Sequence, residues 1–206
     1  MRLSKIAYGT LVFLAMGISI FSLHYFITGS KFAPGQLGPL FDAHPMLFLL
    51  HVGGGFVALT MGVLQFMPRT RRSSWHRRAG KAYVMACLLG GIGGIGIAAF
   101  SKSGLVAQTG FLTLAVLWIL ATLKGYAAIQ KRDIARHRIW MWRSYGMTSG
   151  AITLRLILPI GSILGVDFAI LYPFTAWASW ISSLMIAELL RRWLDRAPTT
   201  PREVSA

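Results

Sequence analysis

The sequence predicts an all-α integral membrane protein, a bundle of six transmembrane helices. Three observations point there. Of the 206 residues 55% are hydrophobic and only 13% charged, and the mean hydropathy is +0.59, too apolar for an ordinary soluble domain of this length. Six apolar runs are each long enough to cross a hydrocarbon core, which takes about 20 helical residues. Between them lie short polar connections rich in arginine, which make sequential neighbours antiparallel.

The first span, 6–28, follows Arg2 and Lys5, a basic start like that of a signal peptide. Its apolar stretch "GTLVFLAMGISIFSLHYFI" outruns a signal core of roughly 7–15 residues, and no small-x-small cleavage site follows, so a retained span is expected. The connection to the second span, with Pro34, Gly35, Gly38 and Pro39, is long enough for a small cap. The remaining spans are 45–67, 80–100, 104–124, 141–164 and 168–190, with tight turns near Lys102 and Gly165. The six-helix domain is thus read as 1–193. The polar stretch 194–206, with Pro198 and Pro201, is expected to be a disordered cytoplasmic tail.

Lysine and arginine collect on the cytoplasmic side of spans. Arg2 and Lys5, the second loop from Arg69 to Lys81, the fourth loop from Lys124 to Arg143, and Arg191, Arg192, Arg196 and Arg202 together hold eighteen of the 21 cations. Both termini are therefore expected to be cytoplasmic. The same placement accounts for the net charge of +15: basic residues at the membrane surface meet anionic lipid head groups, and no nucleic-acid partner is called for. The single cysteine, Cys87, lies inside the third span, where it can form no internal disulfide.

Three spans carry a histidine at one end of a stripe of small or polar residues. At 3.6 residues per turn, His51, Gly55, Ala58, Gly62 and Gln65 share a face, as do His76, Gly80, Tyr83, Cys87, Gly90 and Gly94, and His137, Met141, Ser144, Thr148 and Arg155. Small residues mark close helix approach. The glycines and alanine below His51 leave a flat recess for a planar cofactor or for another helix.

Ionisable groups at membrane depth are costly and mark function. Arg155, in "ITLRLILPI", needs a partner: His51, Asp42, Asp167 or an anionic ligand, unless it snorkels to the surface. His76 in "WHRR" and His137 in "RHRI" stand at the same depth at the cytoplasmic ends of their spans. Two such imidazoles suit the axial sites of a b-type haem, with Arg77, Arg78, Arg138 and Arg143 beside the propionates; the same residues also suit lipid head groups. His51 and Arg155 would then form an outer polar site for a second cofactor, a quinone or a proton path, with His24 and His44 nearby. Trp75, Trp140, Trp142 and Trp193 read as interfacial anchors. No close-spaced ligand pattern for a non-haem metal and no GxSxG nucleophile motif occurs.

The strings "HVGGGFVALTMGVLQFMPRTRRSSWHRRAGKAYV" and "RHRIWMWRSYGMTSGAITLRLILPI" together resemble the bacterial DUF2306 family of multi-span membrane proteins. That resemblance implies a fold and no catalytic residue. Histidines on the third and fifth spans are more loosely similar to those of cytochrome b561-like and ferric-reductase-like haem proteins, although the fourth span has none. Two functions follow as expectations. One is a haem- or quinone-linked electron-transfer protein. The other is a cofactor-free transporter or sensor that binds an anion or small solute through Arg155, His51, Ser144 and Thr148. A subunit of a larger membrane complex is a third.

Overall fold

The computed structural model describes residues 5–32, 37–67 and 73–196, and among these all regular structure is helical. Helix α1 (Lys5–Ser22) breaks at Leu23 into the short α2 (His24–Thr28), which completes the first span; a 3₁₀ turn (Gly29–Phe32) and α3 (Leu37–Ala43) lie in the connection to the second, where a small cap is expected. The other five spans are α4 (Pro45–Leu64), α5 (Ser74–Phe100), α6 (Leu105–Gln130), α7 (Ile134–Ile163) and α8 (Phe168–Arg196). By length and composition, six helical segments can cross a membrane.

Several helices outrun the apolar runs that reveal them, mostly at the arginine-rich end, called the basic end below. α5 begins where Ser73 caps it, its Oγ accepting from His76 N at 3.2 Å. α7 begins where Asp133 caps it, Oδ1 accepting from Arg136 N at 2.9 Å. Residues 131–133 alone separate α6 from α7, and Asp133 N donates to Ala128 O at 2.9 Å, so most of the expected fourth loop is helix. At the far end, α7 stops at Gly165, whose φ of 75° admits the turn while Val166 N donates to Gly161 O at 3.0 Å. α8 continues past Trp193 to Arg196, so 194–196 are helical rather than disordered; the rest of the expected tail, 197–206, lies outside the described residues.

Helices α4, α5, α6 and α7 form a ring, closed by contact of α7 with α4. α1 lies in the groove between α4 and α7, and α8 in that between α6 and α7. The core runs through the ring along Ala58, Leu59, Val63, Tyr83, Cys87, Trp118 and Tyr145.

Backbone proximity sets the α4–α5 interface. A Cβ placed on Gly54 would come within 2.6 Å of Ala86 O and of Gly90 N and Cα, a separation no side chain tolerates. One carbon on Gly62 would meet the Tyr145 ring at 2.5 Å and the Tyr83 ring at 2.8 Å. Tyr145 of α7 and Tyr83 of α5 thus cover the lower part of the expected recess, at Gly62. Gly55, expected on the packed stripe, meets nothing within 4 Å, and the close approach belongs to its neighbour Gly54.

Gly54→Ala should therefore destabilise the protein by about 1–3 kcal/mol, and Gly55→Ala by less than about 0.5 kcal/mol. Thermal unfolding of the two variants in one detergent measures the difference; equal melting temperatures would contradict this packing.

Candidate functional site

At the centre of the ring, hydroxyls of three helices meet. Tyr83 Oη on α5 lies 2.7 Å from Ser144 Oγ and 3.0 Å from Thr148 Oγ1 on α7. Thr122 Oγ1 on α6 lies 2.7 Å from Ser144 Oγ, and Trp118 Nε1 donates to Thr148 Oγ1 at 2.9 Å. All five side chains are buried, with Cys87 beside them. Such a group is stable in lipid because each polar atom is answered within it, by partners or by a helix carbonyl such as Trp118 O, which accepts from Thr122 at 2.8 Å. The stripes of the third and fifth spans foretell Tyr83, Ser144 and Thr148. Trp118 and Thr122 carry no such signal, being isolated in an apolar helix.

Toward the end opposite the basic one, Arg155 lies eight residues, about 12 Å, from the end of α7. Its Nη2 donates to Ser22 Oγ on α1 at 2.9 Å and its Nη1 to Ala151 O at 3.2 Å. Among the described residues it forms no ion pair; Asp42 and Asp167 do not reach it. Its charge acts on His51 and Tyr25, which face the same region. Pro159, four residues on, has no N–H to give the Arg155 carbonyl, so that helical bond is missing. His51 Nδ1 donates to Gly90 O across the α4–α5 seam at 2.9 Å. A carbonyl only accepts, so Nδ1 carries the proton and Nε2 of the neutral ring keeps its lone pair. His24 and His44 do not join this group: His24 Nδ1 donates to Phe21 O at 2.6 Å, and His44 stacks on Phe100 at 4.3 Å.

At the basic end, His76 and His137 each stand seven residues, two turns, before the Tyr83–Ser144 contact. They therefore lie at matched depth, two turns toward the basic end from that contact. His137 Nδ1 donates to Gly125 O on α6 at 2.8 Å, again leaving Nε2. The expected arginine companions divide. Arg77 and Arg78 are exposed on the first turns of α5. Arg138 pairs with Asp195, and Arg143 Nε pairs with Glu188 Oε2 at 3.3 Å. Glu188 also holds Arg191 at 2.6 Å and Arg192 at 3.0 Å. The signal of this carboxylate hub joining α7 to α8 is the i, i+3 and i+4 spacing of "ELLRRWLD". Of the expected anchors, Trp75 and Trp193 are exposed, whereas Trp140 lies under Lys124 and Arg143, and Trp142 packs on Phe66. Two recesses, of about 470 and 80 Å³, open between helices, and neither is lined by His51, His76, His137 or Arg155.

Removing Ser144 Oγ leaves both Tyr83 and Thr122 short of a partner. Ser144→Ala should cost about 1–2 kcal/mol, while Ser162→Ala, exposed near the C-terminal end of α7, should be neutral within about 0.5 kcal/mol. Unfolding in mixed micelles by added dodecyl sulfate compares the two; an unshifted midpoint for Ser144→Ala would make the cluster energetically silent.

Residues 48–191 match the family model described as "Predicted membrane protein (DUF2306)". No curated protein and no solved structure is detectably similar to the chain. The matched range runs from the second span through the sixth and takes in both arginine–histidine segments, the central hydroxyl cluster and Arg155. With most of its length covered by that model and six membrane-length apolar helices, the chain is a multi-pass membrane protein and belongs to the DUF2306 family.

Proposed function

We propose that this protein binds an anionic group, of a small solute for transport or sensing, at Arg155, without a cofactor. The observation that carries the reading is the guanidinium itself. It sits at membrane depth on two neutral acceptors, Ser22 Oγ and Ala151 O, and no carboxylate among the described residues neutralises it. A guanidinium has five N–H donors in a fixed fork, and two bonds leave three donors for a planar or tetrahedral oxyanion. His51, whose Nε2 keeps its lone pair, and the Tyr25 ring belong to the same region. Ser144 and Thr148 are spent on the central cluster and are not part of this site. The proposal includes an orientation with the basic end and both termini in the cytoplasm of a bacterium, following the distribution of arginine and lysine.

A second reading is favoured by the matched depth of His76 and His137 and by the bond from His137 Nδ1 to a backbone carbonyl, the arrangement that orients a ligating imidazole through its other nitrogen. Here the two histidines hold a b-type haem, with Arg77, Arg78, Arg138 and Arg143 toward its propionates, and the haem supplies one-electron transfer, to a quinone or a partner subunit. The interior two turns deeper is filled by Tyr83 against Ser144, so the porphyrin lies at the membrane surface in this reading.

Two measurements separate them. Melting of the detergent-purified protein is followed with chloride, phosphate, acetate and succinate. A ligand at 100 times its Kd adds about 2.7 kcal/mol, so at least one anion should raise the midpoint by several degrees, and Arg155→Gln should abolish that rise. No response to any of these anions, or a response kept by Arg155→Gln, would count against the anion site. A visible spectrum, oxidised and dithionite-reduced, of protein made with ample haem supply should be colourless. A Soret band lost in both His76→Ala and His137→Ala would replace the first reading by the second.

A further inference from the structure

We infer that the recess between α6, α7 and α8 is a binding site for one phospholipid with an anionic head group, its acyl chain along the groove and its head at the basic end. The recess holds about 470 Å³, within the range of about 300–1,000 Å³ usual for sites of small molecules. Its walls are apolar, made by Leu117 of α6, Met147 of α7 and Leu184 and Met185 of α8, and Arg143 and Arg192 stand at one end of it with Glu188, the carboxylate they share. The polarity runs along the helices. From Leu184 to Arg192 is eight residues, about 12 Å, so apolar wall gives way to cations in the direction in which an acyl chain gives way to its head group.

Charge complementarity decides the head. Around that end, Arg138, Arg143, Arg191 and Arg192 share Glu188 and Asp195 among the described residues, and Lys124 lies over the Trp140 ring at 4.6 Å. Five cations against two carboxylates leave an excess of three positive charges. Arg192 keeps 58% of its side chain exposed while paired, so its remaining donors are free to meet phosphate. The groove opens sideways from the bundle: Met185 is 59% exposed and the neighbouring Leu189 64%, which places hydrocarbon at its mouth. The site is about 18 Å along α7 from Arg155, twelve residues away, and is independent of the reading proposed for it.

Native mass spectrometry of the purified full-length protein tests this with phosphatidylglycerol and phosphatidylcholine of identical acyl chains, and with inorganic phosphate as a chain-free competitor. Wild type should retain one phosphatidylglycerol at least about tenfold more tightly than phosphatidylcholine, and millimolar phosphate should not displace it. The pair Arg143→Gln and Arg192→Gln should remove the preference between the lipids. Met185→Trp, at a surface position that leaves folding intact, should weaken retention of both, and Arg155→Gln should change neither. Equal retention of the two lipids by wild type, displacement by phosphate alone, or undiminished retention by Met185→Trp would each overturn the assignment.

Discussion

The near-contact of two backbones at Gly54 and Gly90 governs much of the molecule. In lipid, helices gain nothing from hiding apolar surface from water, so they associate where atoms fit closely and where polar groups find each other. With α4 and α5 this close, His51 reaches the Gly90 carbonyl directly and Tyr83 slides over Gly62 to the middle of the ring. From there its hydroxyl joins α7, and Ser144 carries the connection to α6. One short interhelical distance thus determines the position of the central hydroxyls and of one of the histidines.

The distribution of polarity follows from the same architecture. α7 has α4, α6, α1 and α8 around it, and Tyr83 reaches it from α5. A helix with neighbours on so many sides can carry serine, threonine and arginine where protein rather than hydrocarbon meets them. α5 and α6 complete the ring and turn Met85, Leu89, Leu117 and Leu120 outward as exposed apolar side chains. The least apolar spans are α7 and α8, and the carboxylate that joins them, Glu188, gathers arginines from both.

Much of this was legible in the sequence because the bilayer imposes a length and a periodicity. The apolar runs located every span, and the stripe through Gly80, Tyr83, Cys87 and Gly90 pointed inward as expected. Helix ends were less legible: a helix does not stop where hydrocarbon stops, and the caps at Ser73 and Asp133 lie in polar sequence. Which of two adjacent glycines makes the contact, Gly54 or Gly55, depends on a helix rotation of 100° that the spacing of small residues does not resolve. The sequence offers Arg155 a histidine, two aspartates or an anionic ligand as partners, whereas the structure gives it Ser22, a hydroxyl of an apolar helix 133 positions away. The pairing of Glu188 with Arg191 and Arg192 was readable from spacing alone.

The bond from Arg155 to Ser22 also bears on how the chain is made. The ribosome delivers the N-terminal helices first, so α1 is complete well before α7 leaves the tunnel. A guanidinium entering hydrocarbon costs roughly 2.5–3.5 kcal/mol on insertion scales, and here its acceptor is already made when it arrives. Helix α1, the least enclosed of the six, thereby serves as a receiving surface for the most polar part of the fifth span. A rearranged gene that placed α1 after α8 would encode the same contacts but present Arg155 to lipid before Ser22 existed, so the order of the helices along the chain is itself part of what lets this arginine enter.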